Sequence, residues 1–350
     1  MKEEQQTPIC KQLPASTLEP VRLERDFSSK RRVFAAFLIC CALLVAAFAI
    51  TVLWQKNGGL DWFQHPDPGE NQNLSNGETG GSDKNPAHQD PMPPLPEGAI
   101  PVVSMDLIGA AQGSLINETG LLPDLASLMG YDVGYRGDSD APLVLILHTH
   151  TSESYLPPAT SYVQGTVGDL IYSEDVTKNL LSVGARLCEV LNENGISALH
   201  CSMVHDADGR RGSYARSAET IQRYLSEYPS IEYVIDLHRD LVIAPNGDIV
   251  RSEGKHGEES VAQVAAIVGS DEGNDFWQSN LALALQLQKQ LNADGNRIAR
   301  PTVLQSGTLN QELAKFSLHL EIGTAANSPK EAERAAELVG EALIGLIRQE

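Results

Sequence analysis

The chain has 350 residues, 46 acidic against 26 basic side chains, and a net charge of -20 with histidine neutral, so one principal domain of about 200 residues plus lower-complexity segments is expected. Residues 1–32 are locally basic, with seven Lys+Arg and five Asp+Glu, which leaves -22 on the remainder and argues against a nucleic-acid partner. Five cysteines, of which only Cys188 and Cys201 lie beyond residue 41, exclude a dense disulfide framework.

Taken from the N-terminus, residues 33–54 form an uncharged apolar run long enough to cross a bilayer as one helix. Lys30, Arg31 and Arg32 precede it and only Lys56 follows closely, so residues 1–32 read as a cytoplasmic tail and the rest as extracytoplasmic. A cleaved signal peptide ending near Ala47-Phe48-Ala49 is the alternative, and it exports the same domain. Residues 55–97 are rich in Gly, Pro, Asn, Asp and Ser and read as a disordered linker. Residues 98–140 read as a small adaptor or lead-in, with a strand over Ile100 to Leu107 and a Leu-rich segment from Thr119 to Gly130.

Residues 141–350 carry the regular pattern. Leu143 to Leu147 is a continuous apolar run, as a strand buried on both faces requires. Ser173, followed by Glu174 and Asp175, predicts a helix start, with apolar residues at helical spacing up to Gly195. A strand over Ile196–Val204, a helix over Ser213–Tyr228 and a strand over Ile231–Leu237 follow. Val261–Val268 then reads as a strand, Asn274–Asn292 as a helix, Phe316–Ile322 as a strand and Pro329–Arg348 as a closing helix. This alternation implies an α/β fold with a mainly parallel, twisted sheet flanked by helices. Cys188 and Cys201 are expected as two small buried thiols, with a pairing across helix and strand as the alternative.

The chemistry gathers at strand ends. His148 and His150 follow the first strand of this domain, His238 ends the strand from Ile231, and Glu321 lies near the end of the last strand. Glu174, opening the helix after a strand, is expected at the same edge. Two imidazoles and a carboxylate with one open position are the donor set of catalytic zinc, so His150, Glu174 and His238 are the candidate Zn2+ ligands and Glu321 the candidate proton shuttle. Glu153, three residues after His150, is a rival ligand, and Glu174 could instead serve only the helix start. Asp236, Arg239 and Asp240 have a bland alternative as an ion-pair cluster fixing a turn. No Gly-rich phosphate loop and no Gly-x-Ser-x-Gly elbow is present.

The segments LILHTHTSESY (145–155), VIDLHRD (234–240), VGSDEG, WQSNLALALQLQ, LNQEL and LHLEIGTAANS together resemble the stage II sporulation protein P family of endospore-forming bacteria, over about residues 100–345. The resemblance implies a zinc amidase-like domain that acts on peptidoglycan as an N-acetylmuramoyl-L-alanine amidase and a cross-link endopeptidase during engulfment. It also implies a membrane complex with stage II sporulation proteins D and M. His150, Glu174, His238 and Glu321 occupy places that match the wider zinc amidase pattern. The Asp-Pro-Gly that precedes the first ligand there is missing, which leaves His148 and His150 exchangeable at that position. A non-catalytic wall-binding scaffold and a zinc peptidase acting on proteins are the alternative functions.

Overall fold

The computed structural model describes residues 95–108, 115–135, 141–165, 168 and 171–349. The expected cytoplasmic tail, the apolar run at 33–54 and the linker through residue 94 lie outside the described residues. Among the described residues, no helix is long and apolar enough to cross a membrane.

Among the described residues there are thirteen strands and five α-helices. The strands are β1 (Ile100–Met105), β2 (Leu115–Asn117), β3 (Val144–Leu147), β4 (Tyr162–Val163), β5 (Ala198–His200), β6 (Tyr233–Asp240) and β7 (Val242–Ile243). They continue with β8 (Ile249–Ser252), β9 (Gly254–His256), β10 (Glu259–Val261), β11 (Val264–Gly269), β12 (Thr302–Gln305) and β13 (Phe316–Thr324). The helices are α1 (Leu125–Met129), α2 (Leu180–Glu193), α3 (Ser213–Glu227), α4 (Trp277–Leu291) and α5 (Pro329–Arg348).

Seven strands form the central sheet in the order β2-β12-β11-β13-β6-β3-β5. Every neighbouring pair is parallel except β11 with β13. The expected mainly parallel α/β sheet is therefore present. Within the lead-in segment, β2 extends this sheet at its edge and β1 joins a second sheet of order β4-β1-β8-β7. The segment expected as one strand over Val261–Val268 is two, because β10 folds back on β9 before β11 begins.

Strand alternation explains why the two sheet faces differ. Tyr233, Ile235 and Leu237 of β6, with Phe316, Leu318, Leu320 and Ile322 of β13, pack into one large apolar core with α2, α4 and α5. Val234 of β6 and Leu145 and Leu147 of β3 point the other way, into a smaller core with Ile221 and Tyr224 of α3. Asp236 and His238 lie on that second face, as do His319 and Glu321 of β13. The face with fewer helices over it thus carries the polar array, close to the carboxyl ends of β3, β6 and β13.

Two helix ends show how local chemistry sets the boundaries. At α5, Ser328 accepts from the Glu331 backbone N–H while the Glu331 carboxylate accepts from the Ser328 N–H, and Pro329 opens the first turn. At α2, the expected start at Ser173 is corrected to Leu180, with Asn179 accepting from the Leu181 N–H. The Ser173 N–H donates to the Ser152 carbonyl, and the Asp175 N–H donates to the Ser173 hydroxyl. These cap-forming side chains close a local turn that straps onto residues 152–155, rather than opening a helix.

The Cys201 thiol is free and buried, so the alternative pairing with Cys188 does not form.

Candidate metal centre

The first strand of the domain delivers two histidines to opposite sides of the sheet. His148 continues the alternation of Val144 and Ile146 onto the face beneath α2, where its Nε2 lies 2.8 Å from His200 Nε2. Its Nδ1 lies 3.3 Å from the Leu237 carbonyl, so Nδ1 donates and Nε2 accepts from the His200 N–H. Two ring nitrogens 2.8 Å apart share a proton and leave no room for an ion. Both nitrogens of His148 thereby face partners of their own, the Leu237 carbonyl and His200.

The chain turns at residues 149–152, which carries His150 to the other face. There the Ser213 hydroxyl donates to the Arg210 carbonyl (2.8 Å) and so accepts from His150 Nδ1 (3.1 Å). This fixes the tautomer and leaves the Nε2 lone pair of His150 available. Burial pushes His150 down to about 4, against the opposing pull of Glu153, so the ring is neutral near pH 7.

His238, only 2% exposed, lies between two carboxylates. Its Nε2 is 3.2 Å from Asp236 Oδ1 and its Nδ1 is 3.5 Å from Glu153 Oε2. Burial alone would lower His238, but Asp236 and Glu153 outweigh it and hold the ring well above its ordinary value. Burial likewise works to raise both carboxylates. His238 reverses this for each, joined at Glu153 by Arg239 and Arg210, and both stay well below the usual carboxylate range. The pocket is therefore built to hold positive charge between Glu153 and Asp236.

Glu153, 3% exposed, is gripped from behind: Arg210 Nη1 donates to Oε1 (2.9 Å) and the Arg239 backbone N–H donates to Oε2 (3.3 Å). Glu174 is elsewhere. With α2 starting at Leu180, Glu174 sits exposed in the preceding turn, and the structure does not bring it to His150 and His238. Glu153, the rival carboxylate, is instead the one that lies against His238. The alternative ion-pair cluster of Asp236, Arg239 and Asp240 is also absent, because Arg239 donates to the Ser154 and Ile171 carbonyls while Asp240 pairs with Arg300.

Two overlapping donor sets share His238. Asp236, His238 and His319 bring donor atoms within 4.8 Å of one another, and His238 Nε2 and His319 Nδ1 are buried without hydrogen-bond partners. Ring geometry separates this set from the other. Two imidazoles on one tetrahedral zinc, at Zn–N near 2.0–2.1 Å, have ring centroids roughly 5 Å apart. His150 and His238 are 5.5 Å apart and nearly perpendicular, at 80°. His238 and His319 are stacked 4.0 Å apart and nearly parallel, at 14°, so their in-plane lone pairs do not converge. The carboxylates do not separate the sets, because Thr149 donates to both oxygens of Asp236 (2.8 and 2.6 Å) just as Arg210 and the Arg239 N–H donate to both oxygens of Glu153 (2.9 and 3.3 Å). Among the described residues, Asp236, His238 and His319 are the group whose donor atoms already lie within 4.8 Å of one another, while the His150 ring and the Glu153 carboxylate stand beside His238 at 5.5 Å between ring centres and 3.5 Å to Nδ1.

Glu321 faces His238 across the β6–β13 register, which puts their backbones on adjacent parallel strands. Its Oε1 lies 3.2 Å from His319 Nε2, and its Oε2 is buried with no hydrogen-bond partner. Tyr214, at the start of α3, closes the group, edge-on to His150 (5.6 Å) and parallel to His238 (6.5 Å). Burial, with Asp236, Glu321 and Glu153, raises the Tyr214 hydroxyl above its usual range, which keeps it a neutral donor. Ser213, Tyr214, Arg210 and Thr149 carried no sequence signal of their own. Glu153 did, by its spacing from His150.

The fold and this site define an α/β domain with a buried cluster of histidines and carboxylates near the carboxyl ends of a mainly parallel sheet. Residues 66–344 match the family model for Stage II sporulation protein P (SpoIIP), and the chain belongs to that family. The Stage II sporulation protein P of Bacillus subtilis (strain 168) is 27% identical over 208 residues, covering 56% of this chain. The match spans about half (49%) of that relative's length. Among solved structures, the apo N-acetylmuramyl-L-alanine amidase Ami1 of Mycobacterium abscessus is similar over 59% of this chain and 99% of its own, at 16% identity and a TM-score of 0.38. An N-acetylmuramoyl-L-alanine amidase of Clostridium difficile 630 is similar over 59% and 97%, at 12% identity and a TM-score of 0.35.

Proposed function

We propose that this chain is a zinc-dependent peptidoglycan hydrolase of sporulation that cleaves the N-acetylmuramoyl-L-alanine amide bond and also peptide cross-links. The observation that carries the reading is the buried cluster of His150, Glu153, Asp236, His238 and His319 on one face of the sheet, with Glu321 opposite His238 in register. Membership in the Stage II sporulation protein P family supports the sporulation setting. In the same reading the chain is anchored by one membrane span at 33–54, with its tail cytoplasmic, and works beside stage II sporulation proteins D and M.

In this mechanism His150 Nε2, the Glu153 carboxylate and His238 would hold the metal. The chemistry such a zinc would supply is polarisation of the scissile carbonyl and a lowered pKa of a bound water. The remaining work belongs to side chains. Asp236, locked by Thr149, stands as a charge partner 3.2 Å from His238 Nε2, and Ser213 accepts from His150 Nδ1 to fix that ring. Arg210 and the Arg239 backbone fix Glu153. Glu321 takes a proton on its unpartnered Oε2 and delivers it to the leaving amine, with His319 steadying Oε1.

Digestion of purified sacculi followed by muropeptide chromatography tests this function, with Glu321→Gln as the control. Release of unsubstituted stem peptides by the wild-type protein, and not by the variant, is expected. Unchanged sacculi despite bound zinc would support a wall-binding scaffold instead.

A further inference from the structure

The segment LNQEL (309–313) supplies none of the clustered histidines and carboxylates, and the mechanism above leaves it without a task. Leu309 and Asn310 are successive residues with left-handed backbone, at φ 54° and 59°, a region that side chains other than glycine seldom adopt. Gln311 clamps the loop in this shape. Its buried carboxamide accepts from the Gly269 N–H (2.7 Å) and donates to the Ile267 carbonyl (3.0 Å) at the end of β11. Gly269 has to be glycine for the loop to pack there, because an added Cβ would stand 2.2 Å from the Gly307 carbonyl oxygen. Asn310 precedes a short 3-10 turn, Gln311–Leu313, yet its side chain makes no capping hydrogen bond to that turn.

The Asn310 side chain reaches α3 instead. Its Nδ2 donates to the Tyr214 carbonyl (2.9 Å) and to the Ser217 hydroxyl (3.0 Å). Beyond Ser217 the hydrogen-bond directions are fixed by counting hydrogens. Thr149 has one hydroxyl hydrogen and directs it to Asp236 Oδ2 (2.6 Å). Its oxygen therefore accepts from the Ser217 hydroxyl (2.7 Å), for which it is the nearer acceptor, the Tyr214 carbonyl lying at 3.1 Å. Asn310 thus donates to Ser217, Ser217 to Thr149 and Thr149 to Asp236. The last three are buried, and in such surroundings each bond of a one-way series strengthens the next. The series ends 3.2 Å from His238 Nε2, at Asp236 Oδ1.

We infer that Asn310 is a positioning residue, whose carboxamide sets the series of hydroxyls that holds Asp236 against His238; its bearing on catalysis rests on the hydrolase reading above. The role is the same whether Asp236 binds the metal or stands behind His238. A side chain serving only its own turn would cap it, whereas Asn310 places both amide hydrogens on α3. The strained loop is the scaffold that brings the carboxamide there.

Asn310→Gly in the full-length chain tests it, because glycine accepts the left-handed backbone and only the carboxamide is lost. The first readout needs neither metal nor substrate. It is amide hydrogen exchange of Thr149, whose N–H donates to Asp236 Oδ1, in the metal-free protein. The second is zinc affinity, by competition with a chelator. Zinc binding should weaken about three- to ten-fold, less than the roughly 10- to 100-fold cost of losing a ligand's direct partner, because two hydroxyls intervene. Thr149 exchange should quicken in Asn310→Gly and in Ser217→Ala, while the amides of Val144–Leu147 in β3 keep their rates. The double variant should be no worse than Ser217→Ala in either readout. Asn310→Asp, which keeps the shape but offers an acceptor in place of the donor, should behave as Asn310→Gly does. Unchanged Thr149 exchange overturns the inference, as do additive effects in the double variant. Exchange that quickens equally along β3 also overturns it, by making the role structural, and so does unchanged zinc affinity. A wild-type chain that binds no zinc refutes the metal-dependent hydrolase, and Thr149 exchange then decides the positioning of Asp236 by itself.

Discussion

Replacing Gly184 by alanine is the sharpest test of how the fold supports the site. Gly184 lies in α2, where a Cβ would stand 2.5 Å from His148 Nε2 and 2.6 Å from His200 Nε2. Neither ring can give way cheaply, because both are buried and His148 is tied at both nitrogens. Overpacking costs about 1–3 kcal/mol, and parting the imidazole pair leaves buried nitrogens unpaired at a further 1–3 kcal/mol or so. Against this, alanine favours a helix interior by about 1 kcal/mol. A net destabilisation of about 3 kcal/mol is expected, within a range of about 1–5 kcal/mol. Urea unfolding followed by circular dichroism reads it, with Gly345→Ala as the internal control. Gly345 lies in α5, and its nearest neighbour to an added Cβ is Gln290 at 3.9 Å, so that substitution should be neutral or stabilising by up to about 1 kcal/mol. A Gly184→Ala protein as stable as Gly345→Ala would refute the reasoning.

Other outcomes follow from the same geometry. His150→Ala and His238→Ala should lose stoichiometric zinc, whereas His319→Ala should keep it and lose activity; zinc analysis by mass spectrometry separates the two donor sets. Stability should fall on acidification: burial holds His200 and His150 at about 4, below the ordinary 6.5, and lowers His148 and His205. The unfolded chain therefore binds protons that the folded chain refuses, and stability present above pH 6.5 is lost as the pH falls through about 4. His238 has the opposite sign, its contribution being present below pH 6.5 and lost as pH rises through its folded value, but it is one group against four. A melting temperature of the metal-free protein that is flat or rising from pH 7 to 4.5 would contradict this balance. Ser328→Ala should cost about 1 kcal/mol in urea unfolding, because it opens the capping box of α5, and Ser328→Thr should recover most of it.

Much of the architecture was legible because periodicity is local. The apolar run at β3 and the alternating apolar and polar residues of β6 and β13 announce buried and half-buried strands, and the amphipathic spacing of α3 and α5 announces helices. Strand direction is not local. Nothing in Val264–Gly269 tells that β11 runs against β13, nor that Leu115–Asn117 and Thr302–Gln305 extend the sheet. The same division governs the site. His150, His238 and Glu321 could be placed because strand ends in an α/β sheet share an edge. The helix start at Ser173 misled because the Ser173 hydroxyl accepts from the Asp175 N–H and the Asp175 carboxylate from the Thr177 N–H, in a turn as readily as at a helix cap. Glu153 was present in the sequence as a spacing. Its selection depends on Arg210 and Arg239 arriving from distant segments.

A zinc-edge anomalous difference map from crystals of the zinc-loaded protein tests the central claim most directly. The expected peak lies about 2.0–2.2 Å from a nitrogen of His150, a nitrogen of His238 and an oxygen of Glu153, the ordinary zinc bond lengths. A peak bound instead by Asp236 and His319, or one that includes Glu174, would contradict the account.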